Sequence, residues 1–172
     1  KVAKMLKLGY PGGPVIEAKA RSGDPNSHRF PRALLENGSL DFSFSGLKTS
    51  VRNLLAKREG GGRLGISDAD ISAGFQEAVI DVLVTKLMRA CEQEELKRIV
   101  VTGGVAANGA LRERVTLAGK ERGMKTYFPK PVYCTDNAAM IACAGYHRYC
   151  DNPPSGDNPI SLDASACLPL DS

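Results

Sequence analysis

The stretch from Lys97 to Phe128 constrains the fold more than any other part of the chain. Lys97-Arg-Ile-Val-Val-Thr102 is a short β-branched run that reads as a buried strand. Gly103-Gly104 breaks it, Asn108 to about Arg122 reads as a helix closed by Gly123, and Lys125-Thr-Tyr-Phe128 is a second strand. Pro129-Lys-Pro131 breaks the pattern again, and Thr135 is placed to cap a last helix through about Tyr149. A strand–helix–strand–helix order predicts an α/β layer, with helices against a small sheet. Ligands on such a layer sit at the carboxyl ends of the strands.

Upstream the pattern is helical. Val2, Met5 and Leu6 share one side of a run over residues 1–8, with lysines between them. Gly9-Tyr-Pro-Gly-Gly-Pro14 is a stiff, tightly turned loop, and a short helix follows from Pro14 to about Ala20. Residues 21–40 are polar and read as loop, with a short strand near Arg29-Phe30. Leu40-Asp-Phe-Ser-Phe44 alternates like a strand, and Ser45 is placed to cap a helix over about Leu47–Lys57. Gly60-Gly-Gly62 ends that unit. Ser67-Asp-Ala-Asp70 then signals an N-cap with acids in the first turn. The long helix that follows, about 68–94, carries Ile71, Phe75, Val79, Val82, Leu83 and Met88 at the helical period, so this stripe faces a core. Residues 151–172 are rich in Pro, Asn, Gly and Ser and read as an extended tail behind a domain over 1–150.

Composition sets outer limits. A chain of 172 residues with 42% hydrophobic and 24% charged residues is globular. The net charge of +4 is compatible with binding RNA and equally with binding none. No stretch approaches the roughly 20 apolar residues that cross a bilayer. The cysteines Cys91, Cys134, Cys143, Cys150 and Cys167 form no CxxC pair, which suits a reducing, cytoplasmic setting. Cys91 and Cys143 fall within expected helices, where a small buried thiol is the plain expectation. His28 and His147 are the whole imidazole supply, too few for a self-contained zinc hydrolase of the HExxH kind. The chain opens on Lys1 within a helical run, so it is read as a piece of a longer protein.

Four stretches carry candidate chemistry. In Val100-Val-Thr-Gly-Gly-Val-Ala-Ala-Asn108 the glycines let a ligand approach bare backbone, and the helix start offers N–H groups to an anion. Asn108 has donors and acceptors for a ribose or base. The same pattern is also a plain strand-to-helix turn with Asn108 as its cap. In Tyr133-Cys-Thr-Asp-Asn-Ala-Ala-Met140, Asp136 either suits the dipole of the last helix or gives one carboxylate to a metal. In Tyr10-Pro-Gly-Gly13-Pro14 the amides either line a nucleotide or merely stiffen a linker. In Asp41-Phe-Ser-Phe-Ser-Gly-Leu-Lys-Thr49, Ser45 and Lys48 either meet phosphate or RNA or belong to a capped helix with a solvated lysine.

Together, and in this order, the four stretches resemble the TsaD family, the tRNA threonylcarbamoyladenosine transferases once called O-sialoglycoprotein endopeptidases or glycoproteases. The resemblance runs from Lys1 to about Tyr149. It implies the C-terminal lobe of an actin-like fold, shared with Hsp70 and sugar kinases, in which two related lobes enclose a nucleotide cleft. It also implies an acyltransferase that moves a threonylcarbamoyl group from threonylcarbamoyl-AMP to N6 of an adenosine beside the tRNA anticodon, with pathway partner proteins and one metal ion, iron or zinc. By the same resemblance Asp136 is a metal ligand, Asn108 and the backbone of Gly13 lie at the adenylate, and Gly103 and Gly104 flank the adenosine. Ser45 and Lys48 match a motif near the cleft that has no assigned role. The family's metal histidines, its Ser-Gly-Gly phosphate loop and a substrate-contacting Asp all precede Lys1, so they and the N-terminal lobe lie outside this sequence. One carboxylate holds iron or zinc poorly, so this segment alone is expected to keep no metal and to be inactive. Two other readings stand beside it: a metalloprotease, after the older family name, and a non-catalytic nucleotide-binding or partner-docking lobe.

Overall fold

The long helix expected after Ser67 is present and organises the rest. In a computed structural model describing residues 1–35, 38–60, 65–151 and 153, α4 runs Asp68–Gln93. Its start is a full capping box. The Ser67 hydroxyl accepts from the Asp70 amide at 3.1 Å, and the Asp70 carboxylate accepts from the Ser67 amide at 3.0 Å. At about 1.5 Å per residue its 26 residues make a rod of about 39 Å.

Two apolar clusters share this rod. α1 (Val2–Met5), α2 (Gly12–Ala20) and α3 (Ser45–Glu59) pack on its first half, burying Val2, Ile16, Leu47, Val51, Leu54 and Ile71 with Phe30. β1 (Arg98–Val100), α5 (Gly109–Glu121) and β2 (Lys125–Tyr127) pack on its second half, burying Ile80, Met88, Ile99, Leu111 and Val115. β1 and β2 form a parallel pair, with Ile99 opposite Thr126 and α5 as the crossover. This is the expected α/β layer with a small sheet. Residues Lys1–Thr135 form one compact unit. Asp136–Ser172 form a second, whose described part is chiefly α6 (Ala138–Asp151). The extended tail expected over 151–172 lies outside the described residues apart from Asp151 and Pro153, as do Gly61 and Gly62.

Several local expectations are corrected. α1 stops at Met5 because Lys7 (φ +57°) and Gly9 (φ +91°) enter the left-handed region and turn the chain away. Arg29-Phe30 forms no strand; Phe30 is an anchor, almost fully buried and edge-on to His28 at 4.6 Å between ring centres. Leu40–Phe44 forms no strand. The carbonyls of Ser39 and Asp41 accept from the ammonium of Lys86, which reaches across from α4. Arg89 donates to the carbonyls of Ser39 (3.2 Å) and Leu35 (2.7 Å). A side-chain clamp thus does what a neighbouring strand would otherwise do. Ser45 is the first residue of α3, not its cap; Phe44 holds the cap position with no side-chain bond. At α6 the Asn137 carboxamide accepts from the Met140 amide at 3.0 Å, the capping role expected of Thr135. Asp136 and Asn137 therefore precede the helix instead of forming its first turn. β1 is covered on one face only: Ile99 is buried while Val100 is 70% exposed. Cys91 is buried as expected, whereas Cys143 is exposed.

Candidate functional site

The carboxyl ends of the two parallel strands meet at one turn system. After β1 the chain passes through Gly103, whose φ of +89° strains any residue with a side chain. A single 3-10 turn over Gly104–Ala107 follows. Asn108 then caps α5: Oδ1 accepts from the Leu111 amide at 2.9 Å, and Nδ2 donates to Gln76 Oε1 on α4 at 2.8 Å. The next amide, of Gly109, donates to Glu17 Oε1 of α2 at 3.0 Å. Two of the first three amides of α5 are therefore already taken, one by a carboxylate. The free anion-binding helix terminus expected from the sequence is not free in this form of the chain. Arg112 ties the two strand ends together. It donates to the carbonyls of Ala106 and Pro129 (2.5 and 2.7 Å), donates to Cys134 Sγ (3.2 Å), and lies 5.1 Å from the centre of the Phe128 ring.

Glycines fall into two kinds. At Gly23 an added Cβ would come within 2.1 Å of the Ala69 carbonyl oxygen, and at Gly119 within 2.7 Å of Thr126, so internal packing demands glycine there. At Gly13, Gly103 and Gly104 a Cβ would meet nothing within 4 Å. All three are exposed. Gly13 and Gly104 have neither crowding nor a left-handed backbone to explain them, so their bareness leaves room for an approaching group. Gly13 lies in the first turn of α2, one turn before Glu17, the residue that holds the α5 amide. Through Glu17, α2 is thus joined to the start of α5, just after the turn that carries Gly103, Gly104 and Asn108. The groove beside it, of about 400 Å³, is lined by Glu17, Arg21, Gln76 and Glu113. Two carboxylates and one guanidinium make it a poor seat for a bare phosphate.

Ser45 and Lys48 are elsewhere, on the outer face of α3 in the first helical cluster. Asp136 is exposed and belongs to the second unit. Among the described residues no three His, Cys, Asp or Glu side chains converge as metal ligands would. Asp136 alone offers one carboxylate where iron or zinc takes three or four protein ligands, so these residues do not by themselves fit the metal that the family resemblance implies.

Comparison with known proteins decides the lineage. The model of the TsaD family, described as tRNA N6-adenosine threonylcarbamoyltransferase, matches residues 1–143. The chain belongs to the TsaD family. Proteins named tRNA N6-adenosine threonylcarbamoyltransferase are similar to it in several bacteria. The one from Desulfitobacterium hafniense is 52% identical over 88% of this chain and 44% of its own length. That from Moorella thermoacetica is 48% identical over 99% and 48%, and that from Thermodesulfovibrio yellowstonii 49% over 99% and 50%. The chain spans about half the length of the curated relatives it matches. All the residues singled out above, from Gly13 to Asp136, lie inside the TsaD match.

Sequence reasoning missed the residues that hold this turn system of the TsaD chain in place. Glu17, Gln76 and Arg112 make its hydrogen bonds, yet none stands in a motif. Beside them Arg114 bridges Glu77 (2.7 Å) and Asp81 (3.1 Å), and Asp81 also takes Arg32 at 2.7 Å. The hydrogen bond to Glu77, then the two nearby carboxylates against the opposing effect of burial, holds the Arg114 guanidinium above its ordinary value. One signal was legible. Lys86 sits four residues after Val82 on the apolar stripe of α4, and a lysine there must find acceptors.

Proposed function

We propose that this chain forms one wall of a tRNA-modifying acyltransferase. The intact protein moves the threonylcarbamoyl group from threonylcarbamoyl-AMP to N6 of an adenosine next to the anticodon. The observation that carries this reading is the turn after β1 in a TsaD-family chain: exposed glycines that packing does not require, Gly103 and Gly104, leading into the Asn108 cap. In the proposed complex the adenylate lies across the carboxyl ends of β1 and β2, with its sugar and base against the bare backbone of Gly13, Gly103 and Gly104. Asn108 keeps one amide hydrogen and one oxygen lone pair beyond its bonds to Gln76 and Leu111, enough for two contacts to the nucleoside.

The reaction forms a bond from N6 to the carbamoyl carbon and breaks the bond from that carbon to the phosphate oxygen. AMP leaves with the electron pair, and N6 gives up one proton. This wall contributes orientation: a fixed adenylate turns a bimolecular encounter into a nearly unimolecular one. The rest of the site, including the actin-like partner lobe and the remaining donors of an iron or zinc ion, lies in our reading outside this chain, with Asp136 as one donor. Other proteins of the pathway complete the assembly. Four described cysteines are free, two of them exposed, which suits a reducing cytoplasm.

The test is transfer itself. The 172-residue chain, given threonylcarbamoyl-AMP and tRNA, is expected to leave the tRNA unmodified. The same chain joined behind the missing half of the Desulfitobacterium relative, with the pathway's partner proteins, is expected to modify it. A joined protein that folds, binds AMP and transfers nothing overturns the reading, and robust transfer by the short chain overturns the split of the site.

A further inference from the structure

We infer that the outer face of α3, together with Phe42, is a binding surface for a single-stranded stretch of RNA. The inference rests on the transferase reading, which supplies an RNA substrate, and it names where on this chain that RNA lies. α3 buries Leu47, Val51, Leu54 and Leu55. On the opposite side Ser45, Lys48, Thr49 and Arg52 form a stripe at the helical spacing, and none of them is buried. The stripe holds two cations and two hydroxyls and no acid; Glu59, at the far end, is the only carboxylate in the helix. Lys48 and Arg52 make no ion pair with a described residue, whereas Arg58 in the same helix is committed to Asp68 at 2.7 Å. A groove lined by His28, Thr49, Asn53 and Lys57 continues this polar face.

The second observation stands at the start of the same helix. Phe42 is 53% exposed and stacks nearly parallel on Phe44, the residue before α3, with 6.3 Å between ring centres and 11° between planes. Lys86, buried below, lies 5.7 Å from the Phe42 ring centre, and its clamp on the carbonyls of Ser39 and Asp41 fixes the segment that presents the ring. The carboxylate of the preceding residue, Asp41, accepts from the Ser39 hydroxyl at 3.2 Å. A pinned, half-exposed aromatic beside a basic, hydroxyl-rich and acid-free stripe combines the two things an unpaired strand of RNA requires. These are a π-face for a base, and cations with donors for the phosphates. Duplex RNA would use the cations and leave the ring idle, so the ring favours an unpaired loop.

Binding of a fluorescein-labelled tRNA transcript to the 172-residue chain, followed by anisotropy across a salt series, tests this. Lys48→Ala with Arg52→Ala is expected to weaken binding about tenfold and to flatten the slope of log affinity against log salt by about 1.4, about 0.7 per cation on a single strand. Phe42→Leu keeps an apolar side chain at that position and is expected to weaken binding about fivefold with the slope unchanged. Lys97→Ala with Lys120→Ala, exposed cations outside α3, is expected to change neither. Circular dichroism confirms that each variant is folded. Wild-type affinity and slope in the α3 double variant, full affinity in Phe42→Leu, an equal loss in the control pair, or no tRNA binding by the parent chain each overturn the proposal. Such failures leave the transfer reading intact, since it is judged on the joined protein. Loss of transfer with α3-dependent RNA binding preserved would do the reverse.

Discussion

At Asn108 two demands meet on one side chain. Oδ1 caps α5 through the Leu111 amide, and Nδ2 fastens that cap to Gln76 of α4. Asn108→Ala should therefore cost about 1–2 kcal/mol in urea unfolding, the usual effect of losing a cap. Asn108→Ser keeps the cap acceptor and should recover most of that stability. If the residue also faces the adenylate, the Ser variant regains stability without regaining AMP affinity, which calorimetry can read. Asp70 gives a second expectation, in pH. The Asp24 amide (2.8 Å), then the hydroxyl and amide of Ser67, donate to its carboxylate and hold it below its ordinary value of 3.8. Folding thus favours the ionised form. The contribution is complete above the ordinary carboxyl range and is lost as pH falls through the lower, folded value. The Tm advantage of the parent chain over Asp70→Asn should be steady near neutrality and should narrow as pH is taken below about 4. A gap that does not change with pH would remove Asp70 from the account.

Elements built from local signals were legible; those held by side-chain clamps were not. Ser67 and Asp70 announce the start of α4, and Asn108 and Gly123 bracket α5, because caps act within a few residues of sequence. Leu40–Phe44 misled for the opposite reason. Its alternation is real, but the acceptors for Lys86 and its donors are more than forty residues apart, a distance no local pattern spans. The bare glycines of the candidate site were visible, while Glu17, which occupies the α5 amide, was not. Lys86→Met tests the clamp. It keeps the apolar stem and removes the ammonium, so residues 38–44 should exchange their amide hydrogens faster and stability should fall by about 1.5–3 kcal/mol. Glycine substitutions separate packing from ligand room. Gly23→Ala forces a methyl onto the Ala69 backbone and should destabilise by about 1–3 kcal/mol or more. Gly13→Ala, in open space within α2, should be neutral or slightly stabilising while weakening AMP binding. Equal thermal shifts in the two variants would deny that Gly13 is kept for anything but the fold.

Across Lys1–Thr135 the two apolar clusters divide the elements but not the long helix. Ile71 and Ala78 of α4 belong to the helical cluster, and Ile80, Val84, Met88 and Cys91 belong to the cluster under the sheet. A helix of this length gains most of its stability from the face it buries, not from its intrinsic propensity. Losing either cluster would strip half of α4 and expose the other cluster's partner, and the cross-links run the same way. Gln76 on the first half holds the cap of α5, and Glu77 and Asp81, astride the junction, hold Arg114 of α5. Residues 1–135 should therefore unfold as one cooperative unit even though they contain two cores. Ile71→Val in the first cluster and Ile99→Val in the second each remove one buried methylene, at about 0.5–1.5 kcal/mol. Both should lower the same calorimetric transition, and the pair of substitutions should shift it by roughly the sum, since the sites share no contact in either cluster. Two resolved transitions, each moved by only one of the substitutions, would mean that α4 joins the clusters in sequence without coupling them in stability.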